Sequence, residues 1–164
     1  MPTLAEDGFA VDMPGGAKVK GERHVYKVEG KYHLGGKKYE VKDGEYTFRL
    51  YYHDLADEAD YDANKFLEPV LPFPWKPAGG VDGKVAGKPG QAWTIRHGTF
   101  QNTTPAATVP VGFRVFSLYV TKDGLPHGEG EDPVAAERGK KFIDSLKVTF
   151  DPKMLFATFI ASGS

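Results

Sequence analysis

Two segments near the ends of the chain each prescribe a local structure, and together they restrict what it can become. In Gly8-Phe9-Ala10-Val11-Asp12-Met13-Pro14-Gly15-Gly16, Phe9, Val11 and Met13 share one side of an extended backbone and Ala10 and Asp12 the other. That alternation predicts a half-buried strand, stopped by Pro14-Gly15-Gly16. Toward the other end, Asp132-Pro133 carries a helix N-cap followed by proline at the first helical position. Ala135, Phe142, Ile143 and Leu146 then form one apolar stripe, so a helix is expected to end near Leu146 and to run into a short strand at Val148 and Phe150. An opening strand and a closing helix with its own strand call for an α+β fold built on an antiparallel sheet.

Composition fits that class. With 40% apolar and 13% aromatic residues among 164, the chain can fill one hydrophobic core without covalent staples. Residues 1–150 are expected to form a single α+β domain and residues 151–164 an apolar C-terminal tail. Gly 20 and Pro 12 indicate many turns, as in a sheet-rich protein. A net charge of −1 gives no general attraction to nucleic acid or acidic membrane. The absence of cysteine excludes disulfides, thiol catalysis and thiolate metal sites. No window has the length and apolarity of a signal peptide or a membrane span. The expectation is a soluble protein without a transmembrane segment. It is cytoplasmic if Met1 is the native start, and periplasmic or luminal if a signal peptide was removed.

Between the two ends, alternation predicts further strands at 17–34, Lys38–Val41 and Glu45–Tyr52. Leu34-Gly35-Gly36-Lys37 reads as a hairpin loop and Lys42-Asp43-Gly44 as a turn. Tyr46, Phe48, Leu50 and Tyr52 share a face. Asp60–Leu67 is a short helical candidate. Residues 69–90, interrupted by Pro69, Pro72, Pro74 and Pro77 and by several glycines, read as a long irregular stretch. Gln91–Phe100 resumes strand character, and Thr-rich Gln101–Pro110 reads as a loop. Phe113–Thr121 is a dense β run expected to be central and buried on both faces.

Several of these pieces carry a resemblance. The Phe9, Val11, Pro14, Gly15 strand, the aromatic strand Tyr46–Tyr52 followed by Asp54, the segment Gly87-Lys88-Pro89-Gly90, the strand Arg114–Val120 and the helix ending Phe142-Ile143-Asp144-Ser145-Leu146-Lys147-Val148 occur in that order. In this order the chain resembles the PsbP-like group, which includes extrinsic oxygen-evolving proteins of photosystem II and related bacterial stand-alone domains. The resemblance covers residues 8–150. It implies an antiparallel sheet flanked by helices and a role in binding or supporting larger assemblies rather than catalysis. The Thr-rich insert at 101–110 and the tail after Phe150 depart from that pattern.

Reactive constellations are scarce. The acidic stretch Asp54, Asp57, Glu58, Asp60, Asp62 fails as a calcium loop, because counting from Asp60 places Lys65 and Leu71 where Gly and Glu are required. None of His24, His33, His53, His97 and His127 has zinc-helix spacing. His53 and Asp54 are neighbours on a strand and point to opposite faces. His33 and His97 are placed on strands that could meet across a sheet. Ser117 and Ser145 lack a nucleophile elbow, and Ser145 is expected to bond locally at the helix end. The glycine-rich segments lack the setting of a phosphate loop. The run Lys18–Lys42 interleaves Lys and Arg with Tyr26, Tyr32 and Tyr39 but also with Glu22, Glu29 and Glu40, which reads as a solvated strand face.

Apolar contact offers a sharper lead. Met154, Leu155, Phe156, Phe159 and Ile160 crowd the tail, and each favours burial by about 1.5–3 kcal/mol. They pack either on the chain's own sheet or on another subunit. Phe73 and Trp75 form a second candidate contact, since Trp commonly anchors interfaces; otherwise their loop is a lid over the chain's own core. The expected function is a non-enzymatic binding or accessory protein without a cofactor or metal. It would be an extrinsic subunit or assembly factor attached to a protein partner or larger complex, photosynthetic or membrane-embedded complexes included, with peripheral association only. The alternative is a small-molecule carrier with a pocket lined by Tyr46, Phe48, Trp75, Trp93 and Phe116. Deleting residues 152–164 is expected to release a co-purifying partner; a variant that behaves as the unchanged parent monomer would argue against the tail as the point of attachment.

Overall fold

A computed structural model describes residues 3–6, 8–24, 27–28, 31–32, 35–55, 66–97, 102–112, 114–123 and 130–149. Among the described residues there are twelve strands: β1 (Thr3–Glu6), β2 (Phe9–Asp12), β3 (Glu22–Arg23), β4 (Lys27–Val28), β5 (Lys31–Tyr32), β6 (Gly35–Asp43), β7 (Tyr46–Asp54), β8 (Lys76–Val85), β9 (Lys88–Arg96), β10 (Thr103–Val111), β11 (Arg114–Lys122) and β12 (Lys147–Val148). Helix α1 spans Pro133–Asp144. A seven-stranded sheet runs in the order β3-β6-β7-β11-β10-β9-β8, with smaller sheets β1-β2-β12 and β4-β5. The named strand pairs are antiparallel. The architecture is therefore mostly antiparallel β with a helix on one face, in keeping with the α+β expectation.

The two terminal segments close on one another. Val148 pairs with Phe9 and Lys147 with Ala10. The Thr149 N–H donates to the Gly8 carbonyl at 2.7 Å, and the Asp12 N–H donates to Ser145 Oγ at 2.8 Å. Ser145 also donates to the Phe142 carbonyl, the local bond expected of it. This small sheet and α1 cover one face of the large sheet. Phe9 meets Tyr39, Tyr52 and Phe116 edge-on at centroid distances of 5.5, 5.9 and 5.4 Å, the geometry that aromatic quadrupoles favour. Phe48, Leu50, Leu118, Val120, Phe142 and Leu146 complete this core.

Asp132 caps α1 as expected, accepting from the N–H groups of Val134 and Ala135. It also accepts from the Tyr46 hydroxyl at 3.1 and 3.0 Å, which locks the helix start to the first residue of β7. Burial and this carboxylate push the Tyr46 phenol up to about 12.

β11 is central and buried on both faces, as its sequence predicts. Three expected loops are instead strands. Residues 76–85 within the expected irregular stretch are β8, joined to β9 by Ala86 (φ 52) and Gly87 (φ 77), two positive values that suit a tight hairpin turn. The Thr-rich segment is β10, which pairs with both β9 and β11. It tolerates Pro105 because the neighbouring Thr104 hydroxyl supplies a bond to the Val120 carbonyl at 2.7 Å where proline has no N–H to offer. Gly35 and Gly36 belong to β6, not to a hairpin loop. A Cβ on Gly36 would run into the His53 ring and into the carbonyls of Tyr52 and His24, so close approach is what demands glycine there. Of the helical candidate Asp60–Leu67, Phe66 and Leu67 are helical and the rest lies outside the described residues.

Gly139 lets α1 lie directly on β10, since a Cβ there would overlap the Pro105 ring and press on Val120. Alanine ordinarily favours a helix over glycine by about 1 kcal/mol. Here overpacking against a rigid ring reverses the sign. Gly139→Ala should lose roughly 1–2 kcal/mol in chemical denaturation, whereas a gain in stability would show that the helix rides free of the sheet.

Candidate functional site

The face opposite α1 carries polar side chains in register across the central strands. Lys38, Tyr51, Ser117 and Thr108 form one cross-strand row, and Glu40, Arg49, Tyr119 and Ala106 the next. Such residues tolerate burial only when their polar atoms find partners. The segment running from Phe66 to Trp75 supplies several. Ser117 Oγ donates to the Phe66 carbonyl and the Tyr119 hydroxyl to the Val70 carbonyl, which ties this segment down over the sheet. Leu67, Val70 and Trp75 then pack with Tyr51, Ile95, Ala106 and Tyr119 into a second core.

Beside that core lies a cavity of about 260 Å³, with His24, Lys38, Glu40, Arg49, Tyr51 and Tyr119 on the sheet side and residues 69–72 as its roof. Arg49 Nε donates to Glu40 Oε2 at 2.6 Å and Nη1 to Thr121 Oγ1 at 2.9 Å. Lys38 Nζ stands 3.3 Å from the same Glu40 oxygen. The Tyr51 and Tyr119 rings stack at 6.1 Å, and the Arg49 guanidinium sits 5.7 Å from the Tyr119 ring centre. His24 Nδ1 and His53 Nε2 are 2.9 Å apart, a hydrogen bond that tethers the residue after β3 to β7.

These contacts shift the ionisable groups. Burial drives Glu40 toward its neutral form, but Arg49 and Lys38 outweigh it and leave its carboxyl below the usual range. Burial opposes the Arg49 charge too, yet Tyr119, Glu40 and Tyr51 hold it more firmly protonated than usual. Burial, reinforced by Tyr51, raises the Tyr119 phenol. His24 is lowered, first by burial and then by the Lys38 charge. The site therefore holds a firmly protonated Arg49, an ionised Glu40 and a neutral Tyr119 near pH 7. Two larger cavities border α1. One of about 530 Å³ touches Asp12, Glu137, Lys140, Lys141, Asp144 and Ser145, and another of about 350 Å³ lies between α1 and β8–β10. Their charged groups are Glu137, Lys140, Lys141 and Asp144 on α1, with Asp12 on β2, Lys84 on β8 and Glu131 just before the helix.

Phe73 and Trp75, grouped by the sequence as one contact, are separated by the structure. Trp75 is only 6% exposed and packs edge-on to His97 at 5.5 Å, so it acts as the lid over the chain's own core. Phe73 is 93% exposed. Met154, Leu155, Phe156, Phe159 and Ile160 lie outside the described residues, as does His33. The aromatics named for a carrier pocket do not line one space: Tyr46, Phe48 and Phe116 face α1, while Trp75 and Trp93 belong to the core on the other face. His53 and Asp54 do point apart; Asp54 takes a two-point ion pair from Arg114, at 2.7 and 3.0 Å.

The Arg49 cavity escaped sequence reasoning because its residues come from five separated segments. The available signal was Arg49 itself, a charge within the aromatic strand Tyr46–Tyr52. Among the described residues, no group of three or more His, Asp or Glu converges as a metal site, and no helix is long and apolar enough to cross a membrane. Compared with protein-family models, curated proteins and solved structures, the chain matches none.

His24 makes stability depend on pH. Burial holds His24 in the fold below its usual 6.5, so folding favours the neutral ring. That contribution is whole above pH 6.5 and is lost as pH falls through the folded-state value. His24→Gln should flatten the acid-side decline in unfolding free energy, and an NMR titration should place the His24 midpoint below 6.5; a midpoint above 6.5 would mean that the ring is not desolvated.

Proposed function

We propose that the protein is a non-enzymatic binding and accessory domain of PsbP-like type, attached to a larger complex as an extrinsic subunit or assembly factor. The observation that carries this reading is Phe73, a full phenyl ring left 93% exposed next to a buried tryptophan. Placing that ring in a pocket would contribute about 1.5–3 kcal/mol. Its loop is already tied down: the Trp75 N–H donates to the Pro72 carbonyl at 2.8 Å, Leu71 to Glu68 at 3.2 Å, and Tyr119 holds Val70. A partner therefore has little chain entropy to overcome on docking, the condition under which one aromatic anchor can dominate an interface.

The surroundings favour a protein partner over a lipid surface. Glu68 and Lys76 form an exposed ion pair at 3.5 Å near the base of this loop. Membrane insertion calls for a broad apolar face with basic residues around it, and one ring beside a carboxylate is not that. The resemblance at residues 8–150 implies the same kind of role.

Capture from extracts of the source cell should recover a partner with the parent protein. Phe73→Ala should weaken that association by about tenfold or more while leaving the denaturation midpoint unchanged, and Val81→Ala, at another exposed apolar position, should leave both alone. Equal recovery by the Phe73 and parent proteins, or binding to lipid vesicles in place of a protein, would refute the assignment.

A further inference from the structure

We propose that the outer edge of β8 pairs antiparallel with β8 of a second copy of this chain, joining two large sheets across a two-fold axis at Gly83. β8 is the last strand of the seven-stranded sheet, and among the described residues no strand lies beyond it. Val81, Asp82, Gly83 and Lys84 are all exposed.

The hairpin fixes the direction of the backbone groups. Ala86 and Gly87 are the two central residues of the β8–β9 turn, and both have positive φ, 52° and 77°. A two-residue turn of that kind closes on a hydrogen-bonded pair, here Val85 and Lys88. Hydrogen-bonded and non-hydrogen-bonded pairs then alternate, so Lys84–Pro89 and Asp82–Gln91 are of the second kind. Proline suits that position, because it has no N–H to donate. The N–H and C=O groups of Asp82 and Lys84 therefore point away from β9, toward the open edge. Such an edge is a template for another strand.

Side chains select which strand. Asp82 and Lys84 project from the same face. With Gly83 of both copies on the axis, Asp82 of each stands opposite Lys84 of the other. Each such pair exchanges two backbone bonds and sets acid against base. Asp82 is already oriented for this: Gln91 Nε2 donates to its Oδ1 at 3.0 Å, and Thr108 Oγ1 donates to Gln91 Oε1 at 3.1 Å. On the other face, the same register sets Val81, 69% exposed, opposite Val85 of the second copy. A Cβ on Gly83 would meet nothing within 4 Å, so the axis is unobstructed. A foreign strand competes only if it carries these charges in reverse order, which an antiparallel copy of β8 does by symmetry.

Pairing is confined to residues 81–85. The turn at Ala86 ends it on one side, and the register shift between Gly79 and Val81 ends it on the other. A contact this short is weak, with Kd expected at about 0.1 mM. The chain is then monomeric at the micromolar concentrations of a capture or denaturation experiment. Phe73 lies outside the paired residues, so either assignment can fail while the other stands.

Sedimentation velocity and amide NMR of the full chain, from about 0.01 to about 1 mM, test the pairing. A reversible dimer is expected, with concentration-dependent amide shifts centred on Val81–Val85. Asp82→Lys and Lys84→Asp should each weaken self-association by about tenfold or more, because like charges then face each other in both pairs. An equal mixture of the two variants should recover the parent's affinity, since every lysine again meets an aspartate. The amide spectra show directly that each variant is folded. The proposal is overturned if the parent stays monomeric at about 1 mM, if either folded variant dimerises like the parent, if the mixture associates no better than its components, or if the shifts fall on other residues.

Discussion

Burial of β11 on both faces is the constraint from which the rest of the structure follows. Eight consecutive residues, Arg114–Thr121, are shielded from water. A strand in the middle of a seven-stranded sheet cannot arrange that by itself; each face needs its own cover. Phe116, Leu118 and Val120 are apolar on one side and meet α1 and the terminal sheet. Val115, Ser117, Tyr119 and Thr121 are mixed on the other, and a cover there must satisfy hydroxyls as well as exclude water. The segment 66–75 does both, lending carbonyls to Ser117 and Tyr119 while burying Leu67, Val70 and Trp75.

The chemistry of the second face is a consequence. Where the covering segment is apolar, the sheet residues beneath it pair with its backbone or with each other. Where the cover ends, Arg49, Lys38 and Glu40 meet at the border between the packed interior and solvent. Half-buried charges of this sort retain strong mutual interactions, since water screens them incompletely. That is why Glu40 stays ionised despite burial, whereas for Tyr119 burial itself favours the protonated phenol. The same segment carries Phe73 at its exposed turn, so one piece of chain seals a core, roofs a polar cavity and displays an aromatic ring.

How far the residues alone reveal this depends on whether the signal is local. The N-cap at Asp132, the stripe along α1, the alternation in β7 and the two-sided character of β11 were legible, because each is written within a dozen neighbouring residues. β8 and β10 were not. Their glycines, prolines and threonines argue for loop by intrinsic preference, and only pairing with β9 and β11 overrides that preference. The two glycines of β6 misled for a related reason: Gly36 is required by the approach of His53 and of two carbonyls from other segments, a distance that no local pattern encodes. Trp75 and Phe73, two residues apart, share every sequence property of an interface pair. Which of them turns inward is decided by the space beside His97, Tyr51 and Tyr119.

The amino-acid order by itself determined the α+β class, the start of the helix, the central strand and the absence of any thiol chemistry, since these rest on periodicity, capping and residue type. Tertiary structure alone decided that the two ends pair through Phe9 and Val148, that His24 meets His53, and that Lys38, Glu40 and Arg49 share a cavity with Tyr51 and Tyr119. Those relations depend on sheet order and strand register. A shift of one residue in register would send Arg49 and Tyr51 to the helix side and Leu50 to the polar side, and nothing within either strand read alone distinguishes the two.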